Sequence, residues 1–597
     1  MNLRKIMLLG GLLAGAALPA LASAAPAVGP SGSAFYTPPA TLPSSHGSLV
    51  WYRPAVINLG TGAPGVNAWN VLYTSTDSLN APDVVTGTVL VPTATWTGSG
   101  PRPIISYAVG THGLAQSCAP SQQLAAGSDY ETANLGAALK AGYAVVVSDY
   151  QGYTNGATPT YLAGASQGHA VLDIVPAAVQ IPTAGLSSTA QTAIWGYSQG
   201  GQSAAWAGEL YKSYQPSLNL VGVAAGGIPA NFEASAANLN GSTGASFLLG
   251  GVIGLAQQYP TQIPLATLTN SAGQTAIAVG KTQCVFQSLF TFINQNISDY
   301  TAGNQTLSQL EAIPSISQTL VAQNLGNNAI PVPLYQYHGQ ADEFLPLAQD
   351  IALKQTYCSK WDNVTFVAYP SEHIATQFQA APYVLSWLAD RFAGKITLGN
   401  CIDLASQPTS TANPGGGDFV VSLNGWSLNG NIGLKTLAQS VPLPSGSTFT
   451  ANTDITAQTL KGSLAIPTFQ ANLNILLPLG VDLSVTPASP TVGTASLDNS
   501  GQLHVHGHAY VNITVVSAGE GSLQLPFGCT TSAPVDLPIN FDGPVSSLGN
   551  GNLAFSGTTT FPAMTGCGLF TGLFTTLMSG PGQTYAFSVV PPAPVSW

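Results

Sequence analysis

One short stretch decides the fold of this 597-residue chain: Ala193-Ile194-Trp195-Gly196-Tyr197-Ser198-Gln199-Gly200-Gly201. It places a G-x-S-x-G pattern between an apolar run and a run rich in Ala and Ser (residues 202–214) that is typical of a helix. Gly196 and Gly200 leave room for a sharp strand-to-helix turn, which would expose the hydroxyl of Ser198. The stretch therefore predicts a nucleophilic serine and ester chemistry.

Two segments downstream supply the partners that such a serine needs. A serine hydroxyl becomes a nucleophile when an adjacent histidine, itself held by a carboxylate, takes its proton. Behind a turn of this kind the chain order is Ser, then Asp or Glu, then His. Asp342 follows the predicted strand 333–337, and His373 follows the predicted strand 364–368. We therefore expect Ser198, Asp342 and His373 to meet beyond the carboxyl ends of their strands.

Several residues compete for these roles. Glu343, Asp350 and Asp149 are alternative acids, and Asp342 is favoured because the spacing strand-Gly-x-x-Asp directs it back toward the site. The alternatives of a turn-capping aspartate and of a histidine on a surface loop stay open. His338 is an alternative base, but it precedes the acid, which is the wrong order.

A second G-x-S-x-G pattern lies upstream, at Gly164-Ala165-Ser166-Gln167-Gly168. The segment before it, residues 158–163, contains a proline and has no β-branched core run. A nucleophile turn needs a buried strand on that side. We therefore expect Ser166 to begin the helix predicted at residues 170–179 instead of acting as the nucleophile.

The tetrahedral intermediate of ester hydrolysis needs two backbone N–H donors. The first is predicted at Gln199, directly after the nucleophile. The second is predicted on the loop after the strand 103–109, which reads Gly110-Thr111-His112-Gly113-Leu114. His112 is the favoured donor and Gly113 is the next candidate. A glycine-rich loop without a donor role is the alternative.

Strands and helices alternate from about residue 50 to residue 393. Strands are predicted at residues 69–76 and 84–91 (an antiparallel pair), 103–109, 144–148, 192–195, 218–224, 333–337 and 364–368, and helices at 170–179 and 382–392. Such alternation implies a mostly parallel sheet that is covered on both faces. We predict an α/β-hydrolase catalytic domain over residues 35–400. Residues 225–332 are predicted to form a mostly helical cap insertion over its active site.

The composition changes beyond a linker rich in Pro, Ser, Thr and Gly (residues 407–417). Short alternating runs such as 447–454, 504–516 and 584–590 predict an all-β, sandwich-like C-terminal domain over residues 418–597. His504, His506 and His508 would share one face of a strand. They could hold a metal ion, but a solvent-facing row on the strand is favoured, because no acidic or cysteine ligand is near in the sequence. We expect this domain to bind substrate or a cell surface.

The N-terminus has the pattern of a secretory signal peptide, predicted over residues 1–24. Arg4 and Lys5 precede an apolar stretch that ends near Leu21, and Ala22-Ser23-Ala24 is a cleavage site of the A-x-A type. A membrane anchor is the alternative, and no later window has the length of a transmembrane helix. We therefore expect a soluble protein that is secreted to the periplasm, the cell surface or the medium.

Six cysteines in an exported chain predict three disulfides rather than a metal site. Sequence alone leaves 15 pairings open. The favoured pairing keeps each bond inside one domain: Cys118–Cys284, Cys358–Cys401 and Cys529–Cys567.

Charged residues make up 6% of the chain, with 13 basic and 24 acidic residues, which argues against a nucleic-acid partner. A polar surface with so few ionisable groups changes little in charge as the pH falls. We hypothesise on this basis that the fold tolerates acid.

The chain resembles a known family, the secretory lipases of the yeast lipase A type. The resemblance rests on Ser106-Tyr107, Cys118-Ala119-Pro120-Ser121, Ser148-Asp149-Tyr150-Gln151-Gly152 and Gly196–Gly201, and on the spacings to Asp342 and His373. It covers about residues 38–394. It implies a Ser–Asp–His triad, a helical cap that holds an acyl tunnel, hydrolysis of triacylglycerols and other esters, and the Cys118–Cys284 bond. The family has an aspartate where this chain has His112, and the C-terminal β-rich part has no counterpart in the yeast enzyme.

These observations predict a secreted serine lipase that needs no cofactor, acts on a lipid or ester substrate and works where lipid meets water. A short-chain carboxylesterase or acyltransferase on the same triad is the alternative within enzymes. An inactive hydrolase fold used for surface binding is the alternative from another class.

Overall fold

The computed structural model describes residues 26–402, 408–412, 419–475, 478–519, 524–549, 551 and 553–596. The predicted signal peptide lies outside the described residues, as do residues 407 and 413–417 of the predicted linker. Among the residues described, we find no helix with the length and apolarity needed to cross a membrane.

The N-terminal part of the described chain forms most of an eleven-stranded sheet. Its strands are β1 (Ala27–Val28), β2 (Leu49–Pro54), β3 (Val66–Thr76), β4 (Pro82–Pro92), β5 (Ile104–Ala108), β6 (Ala144–Ser148), β7 (Thr192–Tyr197), β8 (Leu220–Gly226), β9 (Leu334–Gly339) and β10 (Val364–Tyr369). They lie in the order β1-β2-β3-β4-β6-β5-β7-β8-β9-β10. Six neighbouring strands of this order, β6, β5, β7, β8, β9 and β10, are parallel. Strands β2, β3 and β4 pair antiparallel.

Helices cover both faces of this sheet. The helices packed on it are α1 (Pro120–Ala126), α2 (Thr132–Lys140), α3 (Gly164–Val179), α4 (Gln199–Tyr214), α12 (Leu347–Ser359), α13 (His373–Gln379) and α14 (Ala381–Phe392). Every residue of β5, β6 and β7 is buried. Strands that are buried on both faces are typical of a parallel sheet between helical layers. The predicted α/β-hydrolase fold class is therefore confirmed.

The segment between β8 and β9 is helical, as predicted for the cap. It contains α5 (Phe232–Leu239), α6 (Ala245–Gln258), α7 (Leu265–Leu268), α8 (Ser271–Gly280), α9 (Val285–Thr291), α10 (Leu307–Glu311) and α11 (Pro314–Gln323). Three of these helices begin at a capping side chain, from Asn231, Asn270 and Thr306. Such caps satisfy amide groups that have no partner within the helix.

The C-terminal part is antiparallel β structure, also as predicted. Its elements are β11 (Val420–Leu434), β12 (Gln439–Pro442), β13 (Thr448–Asp454), β14 (Thr459–Asn474), β15 (Pro478–Pro487), β16 (Thr491–Leu497), β17 (Gln502–Ala518), β18 (Leu525–Thr531), β19 (Val535–Pro544), β20 (Leu553–Phe561), β21 (Met564–Thr565), α15 (Thr571–Met578) and β22 (Gly580–Val590). The strands of the described residues form one twelve-stranded sheet. Alternate side chains along them are buried, as in β17, and form a second core.

The two parts of the chain pack directly on each other. A last strand, β23 (Val595–Ser596), returns to the first sheet and pairs antiparallel with β10. Gln379, at the end of α13, donates a hydrogen bond to the carbonyl of Pro592 (2.7 Å). Residues of α13 share a hydrophobic core with the C-terminal sheet, among them Ala375 and Phe378. The helix that begins at His373 therefore lies between the two sheets.

All six cysteines are paired, and the three predicted disulfides are confirmed: Cys118–Cys284, Cys358–Cys401 and Cys529–Cys567. The first bond joins the segment before α1 to the start of cap helix α9. It holds the cap against the loop that follows β5, where Gly113 forms a β-bridge with Cys284.

Candidate active site

Ser198 occupies a tight turn between β7 and α4. Its backbone angles, φ +60° and ψ −122°, are rare for a residue with a side chain and store strain at the turn. The flanking glycines allow the backbone segments around this turn to approach one another closely. A Cβ on Gly196 would lie 2.1 Å from the carbonyl oxygen of Gly200, and one on Gly200 would lie 2.0 Å from that of Ala108. Only glycine fits at either position.

The structure brings the three sequence-predicted residues together. Ser198 Oγ lies 3.0 Å from Nε2 of His373. Nδ1 of the same imidazole lies 2.6 Å from Oδ2 of Asp342. The side chains of His373 and Asp342 are buried, and Ser198 is half-buried. This geometry suits removal of the serine proton by the imidazole while the carboxylate holds the ring.

Asp342 is held from several sides. Its Oδ1 accepts hydrogen bonds from the amides of Phe344 (3.0 Å) and Leu345 (2.8 Å). Burial alone would raise the pKa of Asp342, but the imidazoles of His373 and His338 outweigh it, so that the pKa lies below its ordinary value. The carboxyl is thus ionised where it meets His373.

The competing acids have other partners. Asp149 accepts hydrogen bonds from Thr86 Oγ1 (2.7 Å) and from the amide and hydroxyl of Ser121 (2.8 and 2.5 Å). Glu343 Oε2 accepts the backbone N–H of His373 at 3.2 Å. Asp350 lies 2.6 Å from Nδ1 of His338. None of these contacts reaches the imidazole of His373.

His338 is not next to the serine; it lies on the far side of Asp342. Its Nε2 lies 3.4 Å from Asp342 Oδ2, and both residues are fully enclosed. Burial would lower the pKa of His338, but Asp350 and Asp342 together raise it to about 9. Its position before the acid in the chain argued against it as the base, yet no spacing rule predicted that it would lie beside the acid.

Gln199 and His112, the two predicted oxyanion donors, have different surroundings. Gln199 is the first residue of α4, where a backbone N–H has no acceptor within its helix. His112 lies on the loop after β5 with its ring buried, its Nδ1 3.0 Å from the carbonyl of Gly110 and its Nε2 3.1 Å from Asp129 Oδ2. Burial lowers the pKa of His112, but Asp129 and Glu131 raise it to about 9. Sequence reasoning missed Asp129, since nothing in its spacing links it to His112.

The second G-x-S-x-G has a packing role. α3 begins at Gly164, six residues earlier than predicted, and Ser166 lies in its first turn. The hydroxyl of Ser166 is buried and donates to Gln151 (2.7 Å). A Cβ on Gly164 would lie 2.1 Å from Nε1 of Trp206, so this glycine lets α3 approach α4 closely.

An apolar cavity of about 670 Å³ opens beside the serine. Ser198, Gln199 and His373 lie at one end of it, and its walls come from the cap and from the segment after β9; they include Phe232, Leu239, Phe247, Val252, Leu255 and Phe344. A second apolar cavity of about 780 Å³ lies within the cap, whose residues form its whole lining. Ala236, Leu248, Val252, Leu255 and Leu320 line both cavities.

Comparisons with known proteins agree with this fold. Residues 118–400 match the family model described as Secretory lipase. "Secreted triacylglycerol lipase LIP2" of Malassezia furfur is 27% identical over 389 residues, which cover 62% of this chain and 81% of that protein. A protein of Mycobacterium tuberculosis named as a probable inactive lipase is 29% identical and covers 61% and 83% of the two chains.

Among solved structures, Candida antarctica lipase A in its closed state is similar, with a TM-score of 0.55 at 25% identity. The match covers 64% of this chain and 88% of that one. The residues matched by the family model fall on the N-terminal sheet and its cap. Through that domain the chain is similar to the secretory lipases, and it is a carboxylic ester hydrolase.

Proposed function

We propose that this chain is a secreted serine lipase that hydrolyses triacylglycerols and related esters through Ser198, His373 and Asp342. The observation that carries the proposal is the pair of contacts at His373. One joins its Nε2 to Ser198 Oγ (3.0 Å) and the other joins its Nδ1 to Asp342 Oδ2 (2.6 Å). Both contacts lie at the end of an apolar cavity.

The proposed reaction has two halves. Ser198 Oγ attacks the ester carbonyl while His373 Nε2 takes its proton, and the tetrahedral intermediate then expels the alcohol, which receives that proton. Water attacks the acyl-enzyme in the second half, gives a proton to His373, and the fatty acid leaves as Ser198 regains the proton. Asp342 stabilises the imidazolium in both halves. These steps use no cofactor.

Charge on the carbonyl oxygen would be stabilised by the backbone N–H groups of Gln199 and His112. Such a donor lowers the activation barrier by about 2.7–4 kcal/mol when it is aimed at the developing oxyanion. The position of Gln199 at the start of α4 supports its role, because the helix dipole favours negative charge there.

The two cavities would bind the long acyl chain of the substrate. Apolar side chains line nearly all of both cavities, which adjoin along shared residues of α5 and α6. Each methylene buried there contributes about 0.8 kcal/mol to binding. A lipid–water interface is the proposed place of action. The three disulfides support an oxidising compartment, and the secreted relative supports export.

The chain-length profile of ester hydrolysis tests this proposal. We expect wild type to hydrolyse esters from butyrate to palmitate, and Ser198→Ala to lose at least about 10⁴-fold in kcat on all of them. Val252 lines both cavities, so Val252→Trp should fill space where they adjoin. It should therefore lower the rate on palmitate about tenfold or more while the rate on butyrate changes less than about twofold.

Val321→Trp is the matched control, since Val321 lies on cap helix α11 with half of its surface exposed. It should change neither rate. A wild-type rate that falls steeply beyond short acyl chains would contradict the lipase proposal and favour a short-chain carboxylesterase.

A further inference from the structure

The outward face of the C-terminal sheet carries a row of imidazoles. His504, His506 and His508 alternate along β17 with the buried residues Leu503 and Val505. Their side chains are 37%, 50% and 51% exposed. We expected no acidic ligand beside this row from the sequence, but β19 pairs antiparallel with β17 along it and supplies Asp542 and Asp536.

Two of the imidazoles share one carboxylate. Asp542 lies directly opposite His504 in the strand pairing. Its Oδ1 lies 2.7 Å from Nδ1 of His504 and 3.3 Å from Nε2 of His506. One ligating atom from each of the three residues falls within 4.8 Å of the other two.

These distances are close to those of a metal site. With metal–nitrogen and metal–oxygen bonds of about 2.0–2.2 Å, adjacent ligand atoms of a tetrahedral site lie about 3.3–3.5 Å apart. The exposed side chains need only small rotations to reach that spacing. Strands β17 and β19 fix the backbone positions, so little conformational entropy would be lost on binding.

A neighbouring carboxylate completes the arrangement. Asp498 Oδ2 lies 3.6 Å from Nε2 of His504. Oδ1 of the same carboxylate is held by the amides of Ser500 and Gln502. Histidines that bind a metal through one nitrogen usually direct the other N–H at a carboxylate, which orients the ring. His504 has a carboxylate at each nitrogen in this way.

We propose that His504, His506 and Asp542 bind a divalent transition-metal ion of the Zn²⁺ class, which bridges β17 and β19. Imidazole nitrogens suit Zn²⁺ and Cu²⁺, and two imidazoles with one carboxylate form a known zinc ligand set. The remaining position would be filled by water. The ion would stabilise the C-terminal sheet by binding the folded state alone, and the inference does not depend on the proposed hydrolysis.

His508 supplies a matched control. It lies on the same strand and the same face, and its Nδ1 lies 2.8 Å from Oδ1 of Asp536. It is not a member of the three-residue cluster. If the row served only to form histidine–aspartate pairs, removal of His506 and removal of His508 would have similar effects.

Calorimetric titration of the full chain with zinc chloride tests the proposal, alongside His506→Ala, Asp542→Asn and His508→Ala. We expect one ion per wild-type chain and an affinity at least about tenfold lower in the first two variants. His508→Ala should stay within about twofold of wild type. Circular dichroism would establish that each variant is folded, and Asp542→Asn preserves the size of the side chain if His506→Ala fails.

Cu²⁺ gives a second readout, since its electron paramagnetic resonance spectrum reports coordinated nitrogens. Two nitrogens should be detected in wild type and one in His506→Ala. The proposal would be overturned by the absence of saturable zinc binding up to about 1 mM, by full affinity in folded His506→Ala, or by an equal loss in His508→Ala.

Discussion

His338 Nε2 lies 3.4 Å from Oδ2 of Asp342, the same oxygen that lies 2.6 Å from His373 Nδ1. The other nitrogen of His338, Nδ1, lies 2.6 Å from Oδ2 of Asp350. The side chains of Asp342, His338 and Asp350 are all buried. The acid of the candidate triad therefore has an imidazole on each side. Nε2 of His338 also lies 3.1 Å from the carbonyl of Leu345, and the charge of this imidazole helps to lower the pKa of Asp342.

Replacing His338 should impair the site through Asp342. His338→Ala would leave Asp342 and Asp350 as neighbouring buried carboxyls without a cation between them. We expect kcat to fall about 10–100-fold, as for partners that orient a reacting group, while KM for a soluble ester stays within about twofold. His338→Gln keeps an N–H donor and should recover part of kcat. An unchanged kcat and pH profile in folded His338→Ala would contradict this role.

The contact between the C-terminal sheet and α13 can be tested with a single methyl group. A Cβ on Gly549 would lie 2.3 Å from the backbone nitrogen of Gln379 and 2.6 Å from the carbonyl of Ala375. Gly549→Ala should therefore displace the helix that begins at His373. We expect a lower melting temperature and a loss of kcat of about tenfold, measured by calorimetry and by ester hydrolysis.

Gly572→Ala is the matched control. A Cβ there meets no atom within 4 Å, and the residue lies in α15. Alanine should stabilise that helix by about 0.5–1 kcal/mol and leave kcat unchanged. Equal behaviour of the two variants would show that the interface does not position α13.

The free energy of unfolding should be larger at pH 5 than at pH 8. Burial raises the pKa of Asp83 and of Glu372 to about 7, from ordinary values near 4. Between those values the folded state binds more protons than the unfolded state, so stability falls as the pH rises. His112 and His338, with pKa values near 9, stabilise the fold fully below about pH 6.5 and lose that contribution as the pH rises through 9.

Urea unfolding at the two pH values measures this difference, which we expect to be at least about 1 kcal/mol. Asp83→Asn imitates the protonated carboxyl, so it should stabilise the protein at pH 8 and change little at pH 5. Greater wild-type stability at pH 8 than at pH 5 would contradict the expectation.

The side chain and the backbone of His112 can be separated by mutation. The proposed oxyanion donor is a main-chain N–H, so His112→Ala should lower kcat by much less than the 10²–10³ expected for a lost donor (about 2.7–4 kcal/mol). It should cost about 1–3 kcal/mol of stability, because Asp129 then loses a buried hydrogen-bond partner. A loss of kcat of about 10² or more at native stability would instead make the imidazole the donor.

Much of this molecule could be predicted from local sequence signals. The turn at Ser198, the acid three residues after Gly339 and the histidine just beyond β10 each follow from a strand end, and parallel strands bring their carboxyl ends together. The fold class was predicted from the same alternation of strands and helices, whereas the disulfide pairing came from keeping each bond inside one domain. The relative positions of residues that are close in sequence, or that follow adjacent parallel strands, can be predicted without knowledge of long-range contacts.

Contacts that depend on strand register and domain packing could not be predicted. The approach of Asp542 to His504 and of β23 to β10 depends on strand pairing, and that of Asp129 to His112 on loop packing; none of these leaves a mark in sequence spacing. The start of α3 was misjudged because its first turn is polar, although burial of Ser166 and Gln167 against neighbouring segments stabilises it. Tertiary contacts outweighed local propensity there.

The most direct test of the central claim is labelling of the folded chain with a serine-directed alkyl phosphonate, followed by peptide mass spectrometry. The proposal predicts one adduct, on Ser198, with loss of ester hydrolysis in proportion to labelling. Ser166→Ala, which changes the other G-x-S-x-G, should label and hydrolyse like wild type, and Ser198→Ala should do neither. An adduct on Ser166, or full hydrolysis by Ser198→Ala, would contradict the account.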